Sequence, residues 1–342
     1  MRLEEASKPT FAQHETFHPR YGWLKKAYEG ALVDPLVFTS DSATVQLGVG
    51  KNMVRAIRFW GRAARILSDQ PHPNRRRLSQ SFPSQIGRAV LADDGWDPYC
   101  EDPATLWLLH WWLLAPPCLL PVWWVAFHDF TAIEFTEEQM MEFAIDRIRA
   151  TPGWHAPQAS SIAKDVSCLL RTYCHAPIAA PRAGIEDFLD CPFRDLGLLR
   201  SVAGRPRTFR FVLGPKPTLP PEVVLFSALD FVVRTEPQAP RTITVSRLAS
   251  EPGGPGRAFR LPEAAFVSAL EAAILRTPHA ELASPAGVVQ LQFKMEPAQL
   301  ATRVLFDYFA SRRRGVRATH LIAGPAADRP VDLAESATAV RG

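Results

Sequence analysis

Five cations stand at positions 51, 55, 58, 62 and 65, spaced by four, three, four and three residues. On a helix turning about 100° per residue, Lys51, Arg55, Arg58, Arg62 and Arg65 share an arc of roughly 80°, with Met53, Val54, Ile57, Trp60 and Ala64 opposite. No acid lies among them, so the row repels itself unless an anion runs alongside. Gly48-Val49-Gly50 precedes it, and a glycine turn that opens a helix aims backbone N–H groups at such an anion, with Asn52 adding a polar side chain. The turn is not a Walker A loop, because G-x-x-x-x-G-K-[ST] is absent, and it is not the dinucleotide fingerprint G-x-G-x-x-G. Phosphate is the expected ligand. The alternative is a solvated helix face, although such faces ordinarily mix signs.

A second concentration of titratable groups precedes the row: His14, Glu15, His18, Arg20, Lys25 and Lys26. Phosphodiester chemistry needs a base or metal ligand beside cations that stabilise the charged transition state. His14 and Glu15 are suited to the first task, Arg20 and Lys26 to the second. Each is equally suited to an ordinary structural pair or cap. The segment also matches the H-E-x-x-H pattern of zinc proteases, but Pro19 directly after His18 disfavours the helix that pattern requires. Asp34, Asp41, Asp93, Asp94 and Asp97 are further acids suited to a metal, without forming a nuclease signature.

These residues need a scaffold, and the pattern predicts a mainly α, α+β chain. A helical N-terminal domain is expected over 10–134, carrying the basic helix and an apolar core, with helix from Arg20 to Gly30 and a polar, Pro-containing loop over 68–83 that holds Arg75-Arg76-Arg77. A winged-helix-like domain is expected over 135–235. Thr136 caps a helix to about Ala150, a second helix runs from about Ser160 to Cys174, and 207–213 alternates as a strand. A second winged-helix-like unit follows over 236–311 and a flexible tail over 312–342. Phe59 and Trp60 flank the basic row, where Trp60 is expected to anchor the helix rather than stack on bases.

Charge is segregated. Residues 51–88 hold nine Lys or Arg and one acid, Asp69, whereas 89–146 hold eleven Asp or Glu and no Lys or Arg. Such division favours a polyanion partner over a neutral small molecule. Five cysteines without a C-x-x-C pair fit reduced thiols in a cytoplasmic protein. Residues 104–127 lack a full charge, but Pro116, Pro117 and Pro121 interrupt them and their tryptophans crowd the middle. Two short buried helices at a proline corner are expected there, not a membrane span.

His14-Glu15-Thr16-Phe17, Arg20-Tyr21-Gly22-Trp23-Leu24-Lys25-Lys26, Leu47 to Met53 and Arg58-Phe59-Trp60 together resemble a bacterial family long classed as a domain of unknown function. Its best understood members are SspB-like DNA-nicking components of single-stranded DNA phosphorothioation systems. The similarity covers most of 10–310, with Lys164-Asp165 and 256–261 as weaker echoes. The resemblance implies a protein that breaks one DNA strand so that partners can replace a phosphate oxygen with sulfur. Those partners would be a cysteine desulfurase, an ATPase and an ATP pyrophosphatase-like enzyme. It implies no catalytic residue. His14, Glu15, Arg20 and Lys26 are therefore the catalytic candidates, and Gly48, Gly50, Lys51, Asn52, Arg55, Arg58, Arg62 and Arg65 the DNA-binding ones, on local chemistry alone. Two readings stay open: a nickase assisted by a divalent metal (magnesium or manganese), and a DNA-binding assembly subunit with no chemistry of its own.

Overall fold

The computed structural model describes residues 1–75, 77–155, 157–174, 191–236, 238, 240–313, 316 and 322–331. After a short α1 (Leu3–Ala6), residues 10–22 pass through turns to α2 (Trp23–Val33), which begins later than expected because Gly22 is left-handed at φ 76°. Then come α3 (Ala43–Leu47) and α4 (Lys51–Ala63), joined by Gly48-Val49-Gly50. Gly48 ends α3 at φ 62°, a conformation only glycine adopts without cost, and its N–H closes onto the Thr44 and Val45 carbonyls. α4 packs close to α2 at Gly61, where a Cβ would come within 3.1 Å of Ala27 Cβ and 2.9 Å of a Leu67 methyl.

The segment expected as a loop over 68–83 instead forms a hairpin. β1 (Leu67–Pro71) pairs antiparallel with β2 (Ser79–Pro83), Asp69 opposite Ser81. Polar residues hid it, since only one face of this ribbon is buried. The N-terminal part is thus not purely helical. Helix, three-residue turn, helix and hairpin follow in the order of a winged helix-turn-helix.

α5 (Gln85–Leu91) leads to α6 (Pro103–Leu114) and α7 (Pro121–Trp124), with a cis Pro116–Pro117 bond in the corner between them. Trp107, Trp111, Trp112, Trp123 and Trp124 are all fully buried, each worth several kcal/mol, about 25 cal/mol per Å² of apolar area. Among the described residues no helix is long and apolar enough to cross a membrane.

Two further units repeat one topology. β3 (Glu134–Thr136), α8 (Glu137–Arg149), α9 (Ala159–Tyr173), β4 (Leu199–Ser201) and β5 (Thr208–Phe211) form a sheet of order β3-β5-β4. Thr136 and Gln139 make the capping box that starts α8. After α10 (Pro221–Thr235) come β6 (Thr242–Thr244), α11 (Val245–Ser250), α12 (Pro255–Ala258), α13 (Glu263–Ile274), β7 (Ala280–Ala283) and β8 (Gln290–Phe293), in the order β6-β8-β7. α14 (Pro297–Ala310) packs on α10.

Much of the tail expected to be flexible lies outside the described residues. Within it, residues 322–331 are packed: Ala327 is buried, Ser84 bridges Pro330, and Asp328 pairs with Arg65 and Arg234.

Candidate nucleic-acid interface

α4 owes its two faces to its sequence. Val54, Ile57, Phe59, Trp60 and Ala63 are buried, and Trp60 donates its indole N–H to the Phe17 carbonyl at 2.9 Å, anchoring the helix as expected. No side chain caps its N-terminus and its first turn carries no acid, so its first N–H groups lie beside an exposed glycine turn. Lys26, a catalytic candidate, is instead a cap. Its Nζ donates to the Leu47 carbonyl at 2.7 Å, at the end of α3.

The cation row is divided rather than uniform. Lys51, Asn52 and Arg55 are exposed. Arg58 and Arg62 are half-buried and converge on Asp69 of β1 at 2.9 and 3.0 Å, while Ser81 donates to the same carboxylate at 2.6 Å. The expectation of a row without an acid alongside is therefore corrected. The one acid of the basic segment is folded back onto it by the hairpin. Arg65 leaves the row entirely: α4 has ended, its φ is 61°, and its guanidinium is buried against Asp328 and the carbonyls of Trp112 and Ala115. Burial, with Arg234 nearby, lowers its pKa to about 10. Arg65 is a structural pin and cannot touch DNA in this fold. Wing residues Arg75 and Arg77 are exposed in the turn between β1 and β2.

The His14–Lys26 cluster is likewise split. His14 is fully buried among Phe59, Trp60 and Trp123. Thr16 N–H donates to its Nδ1 at 3.1 Å, so its Nε2–H donates to Asp165 Oδ1 at 2.6 Å. Ala12 N–H adds a bond to the same oxygen at 2.9 Å. Burial pushes the Asp165 carboxyl up despite the His14 bond. A histidine so enclosed fastens the loop to α9 and is not placed to act on DNA, which corrects its assignment as catalytic. H-E-x-x-H forms turns here rather than a helix, so the zinc-protease geometry does not arise.

Glu15 fares differently. Residues 15 and 16 both take left-handed backbone, at φ 51° and 66°, costing about 1–3 kcal/mol each for non-glycine residues. The His14–Asp165 pin holds that turn, and Glu15 Oε1 reaches Arg55 Nη1 at 3.4 Å. One partly exposed carboxylate therefore stands beside the exposed half of α4. Arg20 lies elsewhere, its guanidinium over the Trp23 ring at 5.6 Å. Arg20, Arg171 and Arg194 surround His18, whose pKa falls to about 3, mainly through burial and then through those charges.

No cage for a resident metal is formed: among the described residues no three His, Cys, Asp or Glu side chains gather to hold one. Asp93 and Asp94 pair with Lys25 and Arg88, and Asp97 binds the Glu101 and Asp102 N–H groups and the Thr105 hydroxyl. Asp34 accepts from Leu36 N–H. Magnesium takes one or two carboxylates plus water and phosphate oxygens at most sites, but these carboxylates are individually engaged. Sequence reasoning did not single out Asp165 or Asp328 as partners of candidate residues. No local spacing signals either.

No curated protein matches the chain. Two solved structures do. A crystal structure of SspB is 39% identical, with a TM-score of 0.83, over 93% of this chain and 94% of that one. A magnesium ion-bound SspB crystal structure is also 39% identical, with a TM-score of 0.84, over 93% of each chain. The chain is thus SspB-like along nearly its whole length. A family model described as a protein of unknown function (DUF4007) matches residues 11–309, and the chain belongs to that family.

Proposed function

We propose that the chain is a DNA-binding nickase that makes the single-strand breaks supporting phosphorothioate modification of DNA in a bacterial anti-phage defence system. The observation that carries this is the juxtaposition of Glu15 with the exposed half of α4. Lys51, Asn52 and Arg55, with the open N-terminus of the helix, hold the phosphate backbone, and Glu15 stands 3.4 Å from Arg55 on the same surface. In strand scission a water oxygen bonds to phosphorus as one bridging P–O bond breaks, and the departing sugar oxygen takes a proton from solvent to become a hydroxyl. In this reading Glu15 takes the proton of that water. Gly48 and Gly50 keep the turn open to the backbone. The SspB likeness and the family resemblance support the assignment to phosphorothioation, where a cysteine desulfurase, an ATPase and an ATP pyrophosphatase-like enzyme act alongside.

One observation favours the second reading, a DNA-binding assembly subunit without chemistry: His14, a candidate base, is buried against Asp165. Supercoiled plasmid separates the two. The purified chain with magnesium or manganese should convert it to open circles, EDTA should stop the conversion, and Glu15→Ala should abolish it while still shifting the plasmid in a gel. Tight binding with no open circles under any metal would establish the second reading instead.

A further inference from the structure

We infer that α4 is a major-groove recognition helix, and that Lys51, Asn52 and Arg55 read base edges of duplex DNA rather than only its phosphates. This rests on the DNA-binding reading above and goes beyond it, since reading bases makes the site sequence-selective. Three observations carry it.

The first is topology. α3, a three-residue glycine turn and α4 make a helix-turn-helix, and the β1–β2 hairpin follows directly as a wing. The second helix of such a unit lies in the major groove, about 12 Å wide, with its N-terminal residues toward the bases.

The second is the gradient along α4. Its exposed polar side chains are all in its first five residues, Lys51, Asn52 and Arg55. The later cations, Arg58 and Arg62, are spent on Asp69 and so lock the wing against the helix. Arg55 keeps a single 3.4 Å contact with Glu15, both partly exposed, which yields at little cost to a better partner.

The third is side-chain chemistry. Asn pairs bidentately with the N6 and N7 of adenine's major-groove edge, and Arg forks onto guanine O6 and N7. Asn52 makes no side-chain hydrogen bond and Lys51 no ion pair among the described residues, so both donors face solvent uncommitted. Single strands are held by stacking on exposed aromatic rings, whereas Phe59 and Trp60 point inward. The face is therefore built for a duplex. Arg75 and Arg77, on the wing, take the flanking backbone.

The test is selection of the full chain on a randomised duplex library about 20 base pairs long, roughly two helical turns, followed by fluorescence anisotropy at fixed salt. The wild-type chain should prefer the selected duplex over a scrambled one by about 100-fold or more. Asn52→Ala should cut that preference by about 10-fold, with the loss concentrated at one base position and larger on the selected duplex than on the scrambled one. Arg75→Ala with Arg77→Ala should weaken both duplexes alike. Asn52→Ala raises helix propensity at an exposed position, so the fold is retained, as circular dichroism would verify. Equal affinity for selected and scrambled duplexes overturns base reading and leaves DNA binding standing. So does a preference that survives both Asn52→Ala and Arg55→Ala. Tighter binding of the corresponding single strand overturns the groove assignment, and no DNA binding at all overturns both readings.

Discussion

The first and third units share helix-turn-helix and wing topology but present opposite chemistry. α4 carries four cations and no acid, whereas α13 carries Glu263 and Glu271 and no cation. The exposed face of α13 consists of those glutamates with Ala264 and Ser268, and Leu275 beyond its end is 89% exposed. The wing of the first unit exposes arginines, while the 284–289 turn between β7 and β8 has no charge. The middle unit is different again. Its α9 is turned inward, with Asp165 on His14 and Arg171 donating to the Thr16 carbonyl at 2.6 Å. One architecture thus serves three ends, and only the surface residues show which copy suits a polyanion.

The two contrasted units are joined at Asp328, which Arg65 reaches from the end of α4 and Arg234 from α10. Removing that carboxylate by Asp328→Ala leaves the buried Arg65 guanidinium without a carboxylate beside Arg234, which keeps only Asp230. A loss of about 3–5 kcal/mol is expected, visible as one lowered thermal transition. Two separated transitions would show the units folding independently.

Next in size is a charge swap. Lys51→Glu with Arg55→Glu should weaken duplex binding by about 100-fold and reduce the salt slope by about two. Glu263→Lys with Glu271→Lys on α13 should change affinity less than about twofold, because the proposed interface lies on α4. A comparable gain at α13 would erase the contrast. Arg58 is not the residue to reverse, since its partner is Asp69 and its loss would loosen the wing.

Acid sharpens the contrast at the seam between the first two units. The pKa of His18 is lowered from 6.5 to about 3, so the folded state resists a proton that the unfolded chain accepts. The stability this gives is full above pH 6.5 and is lost as pH falls toward 3. His18→Phe should flatten the pH dependence of the unfolding free energy from denaturant titrations across that window by about 1.4 kcal/mol per pH unit. An unchanged slope would show that the imidazole is hydrated in the native state.

The smallest effect concerns the strained turn. Thr16→Gly should relieve its left-handed backbone, raising stability by up to about 1 kcal/mol while loosening Glu15. Plasmid nicking that falls although stability rises would mark that turn as a positioning device. Unaltered nicking would count against it.

Period and punctuation were enough to place much of this molecule in advance. The cation spacing and Gly48-Val49-Gly50 located α4, the prolines located the corner between α6 and α7, and Thr136 located the start of α8. These are local signals, set by dihedral preference and by which residues can share one face. The wing escaped notice because its strands are polar, and α2 began late because Gly22 takes a left-handed turn.

The fate of individual charges was decided elsewhere. Arg65 finds Asp328 across 263 positions, and His14 finds Asp165 across 151. Desolvation makes a buried charge or polar ring depend on its partner, and no spacing along the chain encodes a partner so distant. Sequence alone determined that a basic helix behind a glycine turn exists and that its chemistry suits phosphate. Tertiary structure decided that Lys51, Asn52 and Arg55 of its candidate face remain open, that Asp69 and Asp328 claim Arg58, Arg62 and Arg65, and that the Glu15 carboxylate reaches Arg55.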